Sequence, residues 1–336
     1  MERMTRRDFL KIVGLTAGGA AAWKLGIEPR LADLVEVAVS RTLMGTVVNL
    51  TVIGEDRAAA EAAVAETLDH MGALEAVLSR HQAQSDLSRL NREGLLDNAG
   101  RPLLEVLQQA RQVSEQSGGA FDVTVKPLLD LYQAGQEKGA LPSRRQISLA
   151  LPLVNYRQIQ VDGSRLSFAH EGMGVTLDGI GKGYIVDQGT AVLRRLGFPN
   201  VLVEAGGDLM AAGVKEPGSA WTLGVQPPRA GGNSVAARFR LTDRAVATSG
   251  DYMQPFTPDF SQHHILDPRR GLSPPALSSV SVVADTACAA DAWSTALMVL
   301  GPDEGLQLVE RLPGVEALVV TKNGETRRSS AFPAEA

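Results

Sequence analysis

Two oxygen-bearing side chains, Asp291 and Thr295, stand four residues apart in ADAWSTAL, residues 290–297. On a helix that spacing puts both on one face. A carboxylate and a hydroxyl so placed can hold a hard cation such as magnesium, with waters and substrate phosphates completing its shell. The plainer alternative is a carboxylate favoured by a helix N-terminus beside a core threonine. In SQHHILDPRRG, residues 261–271, His263 and His264 are adjacent. A histidine there is open to three roles: metal ligand, catalytic base or filler at a strand end. TLDGIGKGYIVD, residues 176–187, sets Gly179, Gly181 and Gly183 ahead of a helix start, with Lys182 among them. Glycines let a backbone approach a ligand closely, and helix N–H groups favour phosphate. The third glycine of a dinucleotide fingerprint is missing, so a glycine-rich turn into a helix stays open.

Three further stretches are ambiguous by themselves. Ser249-Gly250 in TSGDY suits either a phosphate contact or a hairpin turn, and no nucleophile-elbow pattern surrounds the serine. In GGAFDVTVKP, residues 118–127, Phe121 can cover a flat ligand and Asp122 can accept hydrogen bonds, or Phe121 is a buried ring opening a strand. Gly206-Gly207 in EAGGD reads most simply as a hairpin turn.

Elements must hold these groups in place. Residues 33–53 read as strand, 58–79 as a helix with apolar residues at helical spacing, and 80–94 as a polar loop. A second helix over 101–117 closes on Gly118-Gly119. Residues 133–147 look like a surface insertion, and VDGS at 161–164 a hairpin turn. Residues 181–198 become helical, 201–213 give strand, Gly-Gly turn, strand, and 286–301 form a long helix. Strands in 238–250, 279–284 and 317–321 complete the pattern. Without a regular βαβ rhythm, this predicts an α+β fold of mixed, mostly antiparallel sheets packed with helices in one composite domain.

The chain has 336 residues, 44% hydrophobic and 21% charged, with a net charge of −5. That balance describes a globular protein and argues against a general nucleic-acid surface. One cysteine, Cys288, excludes an internal disulfide. At the amino terminus, Arg6 and Arg7 precede a weakly apolar stretch over residues 12–23, too short for a comfortable membrane span. This reads as a twin-arginine export signal, with a basic amphipathic helix as the alternative. The expected division is 1–32 signal or anchor, 33–325 the main domain and 326–336 a C-terminal tail. The expected location is the periplasm or the outer face of the cytoplasmic membrane, with membrane association through the N-terminal segment left open.

The order of the stretches carries more than any one of them. MGT (44–46), the serines and asparagine spaced over 79–91, GGAFDVTVKPL, LDGIGKGYIVD, EAGGDL, ATSGDY, HHILDPRRG and ADAWSTALMVLG together resemble the ApbE family, the FAD:protein FMN transferases. The resemblance spans about residues 40–320. It implies magnesium-dependent transfer of FMN from FAD to a threonine or serine hydroxyl of an acceptor flavoprotein, with release of AMP. It implies FAD contacts at Met44, Ala120, Phe121, Asp122, Thr176 and Lys182, with Ser249 and His264 at the diphosphate and His264 as base. It implies a magnesium site at the backbone oxygen of Gly179 with Asp291 and Thr295. Where relatives carry a tyrosine that stacks on the flavin, this chain has His81. The glycine/lysine motif begins Thr176-Leu177-Asp178-Gly179, which displaces its acidic group by two residues. Acceptors implied are extracytoplasmic subunits of membrane redox complexes. An FAD pyrophosphatase and a non-catalytic flavin-binding factor are the competing readings.

Overall fold

The computed structural model describes residues 34–216, 218–229 and 237–334. The predicted export signal therefore lies outside the described residues. The chain opens with a hairpin, β1 (Val35–Leu43) and β2 (Thr46–Gly54). Its two-residue turn is Met44-Gly45, both with positive φ. That is the turn geometry matching strand twist, and a methionine there is unusual. This turn splits the stretch read as one strand.

Next come α1 (Arg57–Leu78), α2 (Asp86–Glu93), β3 (Leu95–Leu96), α3 (Arg101–Gln116), α4 (Lys126–Glu137) and α5 (Arg144–Ala150). A small hairpin, β4 (Ile159–Asp162) and β5 (Arg165–Phe168), precedes α6 (Gly181–Arg195). Then follow β6 (Asn200–Ala205), β7 (Asp208–Ala212), β8 (Trp221–Val225), β9 (Ala237–Leu241), β10 (Arg244–Gly250) and β11 (Leu277–Ala284). The chain closes with α7 (Ala287–Val309), β12 (Glu316–Thr321) and β13 (Thr326–Arg328).

Two local readings are corrected. The polar stretch 80–94 is not a loop throughout: the Ser85 hydroxyl accepts from Ser88 N–H, and α2 buries Leu87 and Leu90 one turn apart. Only two apolar residues mark it, so periodicity missed it. The supposed insertion over 133–147 contains the end of α4 and the start of α5, which opens with a capping box between Ser143 and Gln146. The α7 helix breaks at Gly301-Pro302, close to the predicted end at 301.

Eight strands form one sheet in the order β1-β2-β6-β7-β10-β11-β12-β13, and every pairing is antiparallel. The predicted mixed helix and antiparallel-sheet fold is what the chain adopts. One face packs against α1, α6 and α7 in the main core. The other face is covered by the β8–β9 ribbon, where Trp221, Leu223 and Phe239 meet Leu209, Val246 and Val283. Residues after 325 supply β13 and bury Phe332 under that ribbon.

Register decides what lies where. Leu43 faces Thr46, Val48 faces Ala205, Ala205 faces Asp208, Val246 faces Leu209 and Gly250 faces Ser279. One end of the sheet therefore gathers the Met44-Gly45 turn, the Gly206-Gly207 turn, Ser249 and the long connection 251–276. On the helix face, α6 and α7 approach so closely that a Cβ on Gly183 would collide with the backbone of Ala287.

That contact is rigid, whereas a Cβ on Gly189 would meet the flexible Met71 side chain, with Sδ at 2.9 Å. Gly183→Ala should therefore destabilise by about 1–3 kcal/mol through overpacking. Gly189→Ala should be near neutral, because helix propensity offsets a small shift of Met71 by up to about 1 kcal/mol. Urea unfolding of both variants checks this, and equal effects would contradict it.

Candidate active site

The first turn of α6 and the first turns of α7 build the centre. Thr286 caps α7 through its hydroxyl. The half-buried Asp187 carboxylate, from α6, accepts Ala287 N–H at 2.7 Å and Cys288 N–H at 2.8 Å. Burial pushes that carboxyl up to about 6, while the two N–H groups pull it back. So α6 grips the N-terminus of α7, which fixes the distance between residues on the two helices.

Within that frame the predicted metal set comes together. Gly179 lies so close to Thr295 that an added Cβ would sit 2.7 Å from Thr295 Oγ1. Ser249 Oγ is 3.2 Å from Thr295 Oγ1 and 2.8 Å from Ser294 Oγ. Asp291, almost fully buried, accepts Gly183 N–H at 3.2 Å. Lys182 Nζ is 3.9 Å from Asp291 Oδ2 and hydrogen-bonds to Asp208 Oδ2. Asp208, 2% exposed, was not singled out from the sequence, where EAGGD read as a turn. Its signal is its place one residue after that turn.

The electrostatics are unbalanced. Burial alone would lower the Lys182 ammonium, but Asp208 and Asp291 outweigh it and hold it above its ordinary value. Burial pushes the Asp291 carboxyl well above the usual carboxylate range, and Asp208 pushes it further. Two buried carboxyl groups face one ammonium, so with both ionised the cluster would be one positive charge short, and a proton on Asp291 relieves that in the absence of a cation. An all-oxygen donor set with a missing positive charge fits a hard divalent cation. Among the described residues, no group of three or more His, Cys, Asp or Glu side chains is placed to hold a metal. A cation here would rest on Asp291, the Thr295 hydroxyl and the Gly179 carbonyl.

The two histidines part company. His263 is fully buried, its Nε2 3.3 Å from Pro274 O and its N–H bonded to Ser273 Oγ at 2.9 Å. His264 is half-buried, and its Nδ1 is enclosed without a hydrogen-bond partner among the described residues. Burial pushes the His264 imidazole down to about 4, against Asp178, which raises it, and beside Lys182, which lowers it. Asp178 is gripped by Arg80 Nε at 3.0 and 2.9 Å. The ring is therefore unprotonated at neutral pH but weakly basic, and negative charge brought by a bound ligand would raise its basicity.

The other residues predicted to contact FAD have partners of their own. Met44 N–H donates to Glu75 Oε2 at 2.9 Å, and Gly206 abuts Thr46. His81 is exposed directly after Arg80. Thr176 N–H donates to Val123 O at 2.8 Å, which joins the Thr176 segment to Asp122. Asp122 spends its oxygens on Thr124 N–H and Oγ1 (2.8 and 2.6 Å) and Tyr156 N–H (2.9 Å). It caps a 3-10 turn rather than opening a strand. Ala120 and Phe121 are buried in the main core, which turns the Phe121 ring away from the surface.

The ApbE family model matches residues 44–319. A FAD:protein FMN transferase of Klebsiella pneumoniae (strain 342) is 31% identical over 294 residues, covering 84% of this chain and 83% of that protein. The flavinyl transferase ApbE of Pseudomonas stutzeri, in its apo form, superposes with a TM-score of 0.78 at 32% identity, covering 89% of this chain and 96% of that one. An ApbE protein of Thermotoga maritima gives a TM-score of 0.78 at 30% identity, covering 88% and 98%.

The histidine pair makes stability depend on pH. Burial, with His264 next in effect, pushes His263 down to about 4. Between about pH 6.5 and pH 4 the unfolded chain binds a proton that the folded chain refuses, so stability is lost as pH falls through that window. The complete shift is worth about 3 kcal/mol. His263→Gln should flatten the loss between pH 7 and 4.5 by on the order of 2 kcal/mol in urea unfolding. Parallel pH slopes for variant and parent would contradict this.

Proposed function

The chain belongs to the ApbE family, and from that premise we propose that it transfers FMN from FAD to a threonine or serine hydroxyl of an acceptor protein. The observation that carries this reading is the charge-deficient oxygen cluster at the α6–α7 junction, set beside a neutral histidine. A magnesium ion held by Asp291, Thr295 and the Gly179 carbonyl would neutralise charge on the diphosphate. Lys182 supplies a fixed positive charge at the same place, and Ser249 a hydroxyl for a phosphate oxygen.

The acceptor oxygen bonds to the phosphorus attached to riboflavin. The bond from that phosphorus to the bridging oxygen breaks, and AMP leaves with the bridge. The hydroxyl proton passes to the His264 imidazole, which is unprotonated at neutral pH. Most of the rate comes from holding these groups in line. The acceptor we favour is an extracytoplasmic subunit of a membrane redox complex, and Arg6-Arg7 support export by the twin-arginine route. Among the described residues no helix is long and apolar enough to cross a membrane.

Asp291→Asn should weaken magnesium binding and slow transfer at least about a hundredfold. Because Asp291 must lose its proton to bind metal, magnesium affinity should also fall as pH falls. Isothermal titration at pH 6 and 8, with flavin fluorescence surviving denaturation as the transfer assay, checks both. An Asp291→Asn protein that transfers at the parental rate removes the metal from the account.

His264→Ala should cost about 10²–10⁴-fold in transfer rate while leaving FAD affinity within a few-fold. Quantifying free FMN beside acceptor-bound FMN separates transfer from hydrolysis. FMN released at the full rate without an acceptor would favour the pyrophosphatase reading.

A further inference from the structure

His264 is not on a regular element. It lies in the connection from β10 to β11, where Gln254–Phe256 and Gln262–His264 fold back on each other. His264 N–H donates to Gln254 O at 3.0 Å and Phe256 N–H to Gln262 O at 2.8 Å. Phe260, at the tip of this excursion, has a φ of 59°, a left-handed conformation a phenylalanine seldom adopts. Thr257 N–H also donates to Gln262 O at 3.2 Å, and the Ser273 hydroxyl ties the His263 N–H and carbonyl at 2.9 and 2.8 Å, while the excursion beyond Phe256 is held chiefly by charged side chains.

A charge cluster around one buried carboxylate holds it at both ends. Asp251, at the base, has a fully buried carboxylate, and its N–H donates to Ser278 O at 3.0 Å. Arg229, following β8, grips that carboxylate with two bonds of 2.8 and 2.7 Å and lays its guanidinium 4.2 Å over the Phe260 ring. Lys322, at the end of β12, donates to Asp251 Oδ2 and to Phe260 O, the latter at 2.6 Å. Base and tip of the loop are thus tied to two distant parts of the sheet through three charged side chains. Nothing in the proposed transfer chemistry uses these residues.

We propose that Asp251, Arg229 and Lys322 form a clamp that positions His264 for transfer, acting through the 252–264 loop. The inference rests on His264 as the base. Misplacing a reacting group by about 1 Å can cost about a hundredfold in rate, so a clamp far from the ligand can control turnover.

The test uses the full chain with Lys322→Met, which removes both lysine bonds and leaves Asp251 paired with Arg229. The expected result is at least about a tenfold loss of transfer kcat, with FAD Kd within about twofold of the parent. Amide hydrogen exchange over 252–264 should be at least about tenfold faster, and Lys322→Arg should restore most of kcat. If Lys322→Met does not fold, Phe260→Leu removes the ring under Arg229 and should give the same split between kcat and FAD Kd. An unchanged kcat, or a loss of FAD affinity equal to the loss of kcat, overturns the clamp. His264→Ala is measured alongside: if it transfers normally the base assignment itself is wrong, and if it fails while Lys322→Met is normal only the clamp is wrong.

Discussion

One ammonium shared between two buried carboxylates governs the arrangement of this protein. Lys182 comes from α6, Asp208 from β7 and Asp291 from α7, so three elements must meet for the charges to meet. Removing ions from water costs several kcal/mol each unless partners restore the loss. Here one ammonium cannot balance two ionised carboxylates, and burial together with Asp208 holds the Asp291 carboxyl above its ordinary range, which favours its protonated form until a cation binds. A structure with no further purpose would gain by replacing such a group with an apolar one. Its retention at the α6–α7 junction agrees with a site that completes its charge balance only when a cation and a phosphate ligand arrive.

The packing around the cluster makes that junction rigid. Gly183 allows α6 to touch the backbone of α7, and Asp187 holds the first N–H groups of α7. The antiparallel register then carries Ser249, the Met44-Gly45 turn and the Gly206-Gly207 turn to the same end of the sheet. Rigid helices carry the groups that bind charge, while an irregular loop carries the histidine. That division matches the demands of the proposed reaction, in which a cation site needs fixed oxygens and a base must reach a hydroxyl brought by another protein.

Much of this was legible in the sequence because it rests on local rules. The spacing of Asp291 and Thr295 placed them on one helical face, and the alternation of turns and β-branched runs announced antiparallel hairpins. The glycine pairs marked real turns. What stayed hidden depends on distant contacts. Asp208 became a site residue only because β7 pairs with β6 and faces α6, which no local pattern states. Short, polar α2 carries two apolar residues, too few for periodicity to register. Phe121 read either as a cover for a flat ligand or as a buried ring, and it lies in the main core. Nor does the sequence place Arg229, Asp251 and Lys322 together, since they join through three separate stretches of chain.

The most direct test of the central claim is a crystal of the FAD-bound protein soaked in manganese, with anomalous scattering recorded at the metal edge. The account predicts a peak within bonding distance of Asp291, Thr295 and the Gly179 carbonyl, against the diphosphate and on the side of Lys182. A bound FAD with no metal peak there, or with the metal held by other residues, would contradict it.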